Sequence, residues 1–188
     1  MDEVVLARHG ETESAARGVV GGDAGLTDRG REQARRLGES LASARIDVCV
    51  VSPARRARET ADIALAGRNV PLEVLADLDD IGFGSFEGGA LDDYRTWVAA
   101  NPPTAAPPRG ESRVATLRRF GRAFRAIAAR PERRALVVGH GLLLRAATDE
   151  RPKPVVTGVD YGASIGLTRE QLERAAERLE TWCETPSW

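Results

Sequence analysis

The sequence predicts an α/β fold, a three-layer sandwich in which helices flank both faces of a mostly parallel β-sheet. Short apolar runs of strand length alternate along the chain with segments whose apolar residues recur at helical spacing. This alternation is typical of parallel sheets, because parallel strands need a crossover connection that is usually a helix. The chain has 188 residues and no internal repeat, so we expect one domain over residues 1–188.

The strands are predicted from continuous apolar runs that are short and end at turn-forming residues. In the first run, four apolar residues from Val4 to Ala7 end abruptly at charged and polar residues. Ser52 and Pro53 end the second run. The five predicted strands are residues 4–7, 48–51, 70–75, 135–138 and 163–167.

The helices are predicted from apolar periodicity and from capping residues. Thr27 is expected to cap a helix that begins at Asp28, because its hydroxyl can accept from the free amides of the first turn. Pro53 is expected at the first position of a helix that runs to about Ala66. Residues 13–25 are expected to form a loop. The remaining predicted helices are residues 91–100, 114–127, 142–148 and a C-terminal helix that follows the capping-box sequence at 168–171.

Residues 89–111 are expected to form a small helical cap insert. They contain the predicted helix at 91–100 and a proline-rich segment that ends at Pro108. This segment is too short to link two domains and indicates an ordered surface crossing.

The composition argues against several classes of partner. The chain has 27 basic and 28 acidic residues and a net charge of −1, which is unlike a nucleic-acid-binding protein. No apolar run reaches membrane-spanning length, and the first residues lack the pattern of a signal peptide. We therefore expect a cytoplasmic protein without nucleic-acid or membrane partners. Cys49 and Cys183 form no disulfide or metal pattern, and the oligomeric state is not indicated.

Polar residues follow the first predicted strand at the point where it ends. Arg8, His9 and Gly10 come directly after the apolar run, and ligands of open α/β sheets bind beyond the carboxyl ends of the strands. Gly10 has the backbone freedom to bring its amide close to an anion. The sequence therefore predicts a ligand site at this strand end.

Two further predicted strands also end in polar or charged residues. The sequences at these three strand ends together resemble the motifs of a known family. Arg8-His9-Gly10 resembles the Arg-His-Gly signature of the histidine phosphatase superfamily, also called phosphoglycerate mutase-like. The segment 52–60 resembles the family's Ser-Pro-x-x-Arg-Ala-x-x-Thr sequence, and His140 resembles its second histidine. The resemblance implies a phosphoglycerate mutase-like fold with one phosphate pocket made by Arg8, His9, Arg56 and His140.

The chemistry of phosphoryl transfer explains these residue types. Charge spreads over three equatorial oxygens, and Arg8 and Arg56 can each offer a planar fork to two of them. His140 could donate a further hydrogen bond, best when protonated. His9 needs a neutral nitrogen aimed at phosphorus, so its other ring N–H should be held by an acceptor such as a backbone carbonyl. The resemblance implies that His9 is transiently phosphorylated, with no metal or other cofactor.

A leaving alkoxide also needs a proton donor. The family resemblance puts Asp80 at the position of the usual glutamate donor, with Asp79 as the neighbouring alternative. Partial burial under the 91–100 helix and the negative charge of a bound phosphate are expected to raise the pKa of Asp80, whereas Arg8 and Arg56 are expected to oppose this rise. Glu111 is expected to support the phosphate-binding arginines. Supporting or substrate-contacting roles are expected for Glu11, Thr12 and Gly141.

These features predict a phosphatase that hydrolyses a small organic phosphomonoester. A phosphoglycerate-type mutase is a second candidate, weakened because Ala15, Val19 and Gly21 stand where mutases and sugar bisphosphatases carry polar ligands for a second phosphate. The same motifs also fit a protein phosphohistidine phosphatase, or a non-catalytic binder of phosphorylated ligands that has lost acid catalysis at Asp80.

Overall fold

The protein contains one five-stranded sheet flanked by helices, as expected. The computed structural model describes residues 1–155 and 158–188. The strand order is β3-β2-β4-β1-β5, with β5 antiparallel to β1 and the other neighbours parallel. The strands are β1 (Glu3–Arg8), β2 (Val48–Val51), β3 (Leu72–Val74), β4 (Arg134–Gly139) and β5 (Ser164–Thr168).

Helices connect and follow these strands. Short 3₁₀ turns at 76–78 and 84–86 occupy the stretch that lacks periodicity in the sequence. Within the expected cap insert, the helix at 91–100 is found as predicted. The α-helices are α1 (Glu13–Ala16), α2 (Asp28–Ser40), α3 (Arg55–Ala64), α4 (Leu91–Ala100), α5 (Arg113–Ala128), α6 (Gly141–Thr148) and α7 (Arg169–Glu184).

Alternation along the strands supplies apolar residues to both faces of the sheet. Val4 and Leu6 of β1 pack into the cluster that holds residues of α5, α6 and α7. Val5 and Ala7 pack into the opposite cluster, with residues of α2 and α3. A fully buried side chain of this kind contributes about 1.5–3 kcal/mol to folding. The two clusters explain why the strands read as continuous apolar runs in the sequence.

Two local predictions are wrong. Residues 13–16 form a helical turn within the expected loop, because the buried Thr12 accepts a hydrogen bond from the Ala15 amide (3.2 Å). Helix α3 begins at Arg55, later than Pro53, because the backbone of Ala54 is extended and its amide donates to the Ser52 hydroxyl (3.2 Å). The same helix ends at Ala64, and a turn follows it to Gly67, whose φ is positive (76°).

The third strand is shorter than predicted. Strand β3 starts at Leu72 because Pro71 has no amide hydrogen to donate to a ladder and contributes only its carbonyl, to Cys49 (2.8 Å). It is the edge strand next to β2, and its side chains are exposed.

The C-terminal helix α7 is found where the capping-box sequence predicts it. The Thr168 hydroxyl accepts from the Gln171 amide (3.2 Å), and the Gln171 side chain accepts from the Thr168 amide (2.9 Å). Its apolar stripe is buried against α5 and neighbouring elements. In the two ranges that the structure covers, no helix has the length and apolar character needed to cross a membrane.

Candidate active site

The strand order brings the three polar strand ends together. Strands β2, β4 and β1 are neighbours, and Arg8 pairs with Gly139 in the sheet register. The residues that follow, His9 and His140, therefore lie side by side with their ring centroids 5.2 Å apart. Both rings are buried, with 5% and 1% of their residues' surface exposed.

His9 is held in one tautomer by its two neighbours. Its Nδ1 lies 2.7 Å from the carbonyl oxygen of Gly10, an atom that can only accept. Arg56 donates from Nε to His9 Nε2 (3.3 Å), so Nε2 acts as an acceptor. Burial, followed by repulsion from His140 when that ring is protonated and from Arg56, holds the pKa of His9 well below its ordinary value. The ring is therefore neutral, with its lone pair on Nε2.

Arg56 is the central cation of the site. Its Nη2 donates to the carboxylate of Asp80 (2.9 Å) and lies 3.2 Å from His140 Nδ1. Its Nη1 donates to the carbonyl of Gly22 (3.2 Å). One guanidinium thus joins the ends of β1 and β4 to the Asp79–Asp80 segment.

Arg8 stacks on the aromatic ring of Tyr161, which is also a neighbour of His9. The Cζ atom of Arg8 is 3.6 Å from the ring centroid of Tyr161, and Nη1 donates to the carbonyl of Val159. Its Nε is buried and has no hydrogen-bond partner in the parts of the chain described. Burial lowers the pKa of Arg8, but the group stays charged because arginine begins from a very high value.

His140 is neutral, which corrects the expectation of a protonated donor. Burial lowers its pKa to about 4, although the charge of Asp80 opposes this. Because Arg56 donates toward Nδ1, the ring proton belongs on Nε2, which lies 2.8 Å from the Ser52 hydroxyl. The proton of His140 therefore points toward Ser52 in this arrangement.

Asp80 carries a low pKa, because the expected effect of burial is outweighed by neighbouring charges, with Arg56 opposing it as expected. Burial alone would raise the pKa of this carboxyl, but His140, which becomes charged below about pH 4, and Arg56 lower it to about 2. Asp80 Oδ2 lies 2.9 Å from Arg56 and 3.3 Å from His140 Nδ1. The neighbouring Asp79 is half-exposed and contacts Ser52 (3.3 Å), so Asp80 is the carboxylate that faces Arg56.

The glycines after β1 and β4 serve close packing. The Gly10 amide donates to the Thr60 hydroxyl (3.0 Å), and a Cβ at Gly10 would lie 2.4 Å from the carbonyl oxygen of Gly30 in α2. The expectation that this amide approaches an anion is therefore wrong. A Cβ at Gly141 would lie 3.4 Å from the Arg8 guanidinium carbon, so the absence of a side chain at this position lets the Arg8 guanidinium pack against the backbone.

Glu11 and Thr12 support the loop that follows β1. The carboxylate of Glu11 accepts from the Thr27 hydroxyl (3.0 Å), and its amide donates to Gln33 (2.8 Å). These bonds attach the loop to the first turns of α2. Thr12 caps α1 and also lines the pocket around His9.

Glu111 supports a different element from the one expected. Its carboxylate pairs with Arg119 at 2.8 Å and accepts from the Gly82 amide at 3.4 Å, so it does not hold Arg8 or Arg56. Arg119 in turn donates to the carbonyl oxygen of Asp80 (2.6 Å). The pair therefore fixes the backbone of the Asp79–Asp80 segment.

Two adjoining cavities lie beside these residues. The catalytic pocket, of about 110 Å³, is lined by Arg8, His9, Arg56 and Asp80, and Ala15, Val19 and Gly21 border it. The side cleft, of about 290 Å³, extends under α4 toward the start of α5. Both are bordered by Arg8, Asp80, Phe83, Leu91 and Tyr161.

Three residues of the site were not assigned from the sequence. Ser52 contacts His140, and Thr60 contacts Gly10. Both belong to the motif at 52–60, which was the sequence signal that could have identified them. Tyr161 precedes β5 in a segment without a recognisable pattern, so its stacking on Arg8 had no signal. Within the described ranges, no group of three or more metal-ligating side chains is present.

Comparisons with known proteins identify the family of the chain. The sequence model of the histidine phosphatase superfamily (branch 1) matches residues 4–151. The chain is 35% identical over 127 residues to the adenosylcobalamin/α-ribazole phosphatase of Salmonella typhimurium, covering 62% of each sequence. It is 35% identical over 180 residues to an acid phosphatase of Mycobacterium tuberculosis, covering 87% of this chain and 84% of that protein.

Solved structures show the same fold. The crystal structure of the α-ribazole phosphatase of Shigella flexneri superposes with a TM-score of 0.76 at 27% identity, covering 87% of this chain and 89% of that one.

Proposed function

The chain belongs to the histidine phosphatase superfamily, branch 1, and we propose that it hydrolyses a small organic phosphomonoester through a phosphohistidine intermediate on His9. The observation that carries the proposal is the fixed tautomer of His9. The Gly10 carbonyl holds the ring proton on Nδ1, and Nε2 is left as an acceptor, which receives a hydrogen bond from Arg56, on a ring that lines the same pocket as Arg8 and Arg56. A neutral, oriented imidazole is the nucleophile that this chemistry needs.

In the first step, His9 Nε2 attacks phosphorus, the N–P bond forms and the bond to the ester oxygen breaks. Arg8 and Arg56 bind the equatorial oxygens, where charge is concentrated. Asp80 supplies the proton that the departing oxygen requires. Water then attacks the phosphohistidine, Asp80 takes up a proton, and phosphate leaves with His9 restored.

The low pKa of Asp80 is compatible with this role because a bound phosphate changes its surroundings. A phosphate dianion competes for Arg56, the closest partner of the carboxylate, and adds negative charge beside it. Both effects raise the pKa of Asp80. The same negative charge raises the pKa of His140, which then gains a proton to donate to the phosphate.

The test is transfer of radiolabelled phosphate to the protein from labelled phenyl phosphate. The wild type should acquire an acid-labile label, and His9→Ala should acquire none and lose turnover by at least about 10³-fold. Asp79→Asn is the control, because the half-exposed Asp79 does not contact His9. A His9→Ala protein that keeps its folded spectrum and still turns over normally would contradict the mechanism.

Hydrolysis is favoured over mutase activity because Ala15, Val19 and Gly21 border the catalytic pocket. None of these side chains can bind a second phosphate. With 3-phosphoglycerate, any activity should therefore appear as released phosphate. Interconversion of phosphoglycerates with little release would identify a mutase.

A further inference from the structure

The side cleft combines an apolar lining with one deeply buried cation. Phe83, Tyr94, Val98 and Leu142 contribute much of its wall, and Arg113 lies among them. The cleft adjoins the catalytic pocket at Arg8 and Asp80, so the part of a substrate beyond its phosphate could enter it.

Arg113 is a buried cation that donates to a backbone carbonyl. Only 6% of its surface is exposed, and its Nη2 donates to the carbonyl of Pro154 (2.9 Å). Its Nε is buried and has no hydrogen-bond partner in the described part of the chain, where no carboxylate pairs with it either. Burial lowers its pKa, while Tyr94 and Asp80 oppose this. Asp80 is already paired with Arg56 (2.9 Å).

The position of Arg113 in its helix is also unfavourable for a cation. It is the first residue of α5, directly after the N-cap Ser112. The N-terminus of a helix carries partial positive charge, which repels a cation and favours an anion. A buried arginine at this end is therefore costly to the fold, whereas an anion beside it would interact favourably with both the guanidinium and the helix end.

We propose that Arg113 is a specificity residue that pairs with a carboxylate on the alcohol portion of the substrate, while the apolar wall of the side cleft contacts the rest of that portion. This inference rests on the proposed function. A carboxylate fits better than a second phosphate, because one buried cation balances a single negative charge. The nearby Arg95 is occupied by Asp92 (3.1 Å). The planar fork of Arg113 also matches the two carboxylate oxygens.

The test measures binding with non-hydrolysable phosphonates. Calorimetry compares benzylphosphonate with analogues that carry a carboxylate at the meta or para position or on a short alkyl extension. At least one carboxylated analogue should bind the wild type about tenfold more tightly than its neutral parent. Arg113→Met should abolish that preference. Arg118→Met is the matched control, because Arg118 is an exposed arginine on the same helix, and it should keep the preference.

Thermal unfolding provides a second readout of the same variants. Because Arg113→Met removes a buried cation from a helix N-terminus, it should raise Tm by about 2 °C or more. A lower Tm with the binding preference intact would identify a structural arginine and overturn the inference. The comparison of analogues on the wild type needs no variant. If the wild type shows no preference for any carboxylated analogue, the inference is also overturned.

The proposed function is checked separately by turnover of phenyl phosphate. A wild type that hydrolyses phenyl phosphate but does not prefer carboxylated phosphonates would contradict the Arg113 inference alone. A wild type that prefers them through Arg113 but transfers no phosphate would contradict the phosphatase proposal alone.

Discussion

At the residue scale, the site depends on how Arg56 distributes its hydrogen bonds. The same guanidinium donates to the imidazole of His9 and to the carboxylate of Asp80. It thereby keeps Nε2 of His9 in the acceptor state and Asp80 ionised. A phosphate that binds Arg56 would weaken the contact to Asp80 and let that carboxyl take up a proton.

The adjacent carboxylates Asp79 and Asp80 allow a matched test of the proposed acid. Asp80→Asn should slow hydrolysis of alkyl phosphates by roughly 10²–10⁴-fold, the usual contribution of one acid–base group, and of aryl phosphates much less. The difference arises because an alkoxide needs protonation as it leaves and a nitrophenolate does not. Asp79→Asn should change neither rate. Steady-state kinetics on both substrate types measures this, and equal losses on both after Asp80→Asn would indicate an electrostatic role.

At the element scale, the loop after β1 is positioned by close backbone contact with α2. A Cβ at Gly30 would lie 2.1 Å from the carbonyl oxygen of Glu11, and a Cβ at Gly10 would lie 2.4 Å from that of Gly30. Glycine at both positions therefore lets α2 approach the loop that carries His9. The Glu11 contacts to Thr27 and Gln33 hold the two elements together.

Two glycine-to-alanine substitutions inside helices distinguish the effect of this close contact on stability from the effect of helix propensity. Gly30→Ala should destabilise the protein by about 1–3 kcal/mol, because backbone must move, and should reduce turnover as the loop shifts. In α5, a Cβ at Gly121 would make only ordinary contact, 3.7 Å from Ala176. Gly121→Ala should therefore be neutral or stabilise by up to about 1 kcal/mol. Urea unfolding measures both, and equal stability of the two variants would refute the packing argument.

At the scale of the whole molecule, two buried neutral histidines make folding sensitive to acid. Burial lowers the pKa of His9 and His140, the latter to about 4 from an ordinary value of 6.5. Between these pH values the unfolded chain binds more protons than the folded protein, so folding stability falls as pH falls. Below about pH 4, His140 is protonated in both states and its contribution stops changing.

We therefore expect the free energy of unfolding to decrease from pH 7 to pH 4.5, with about 3 kcal/mol as the upper contribution of His140 over its full range. Urea titrations in phosphate-free buffer measure the slope, and His140→Gln should flatten it because glutamine does not titrate. The lowered pKa of Asp80, about 2, acts mainly below this window. An unchanged slope in His140→Gln would show that His140 is not neutral in the folded protein.

The sequence by itself determined the features that depend on neighbouring residues. Apolar runs predict the five strands, and the caps at Thr27 and Thr168 predict where α2 and α7 begin, because a cap bonds only two or three residues ahead. The family motifs also predicted that Arg8, His9, Arg56 and His140 meet, since they follow strands whose ends share one sheet edge.

Only the tertiary structure decided how these groups affect one another. The pKa of Asp80 depends on its distance to Arg56, 24 residues away, and the partner of Arg8 at Val159 lies 151 residues away. The close approach of α2 explains why glycine is needed at position 10. The ion pair with Arg119 makes Glu111 a support of the Asp79–Asp80 segment. Electrostatic and packing energies change steeply with separation in space. Spacing along the chain does not specify that separation for distant segments, so these roles emerge only when the segments pack.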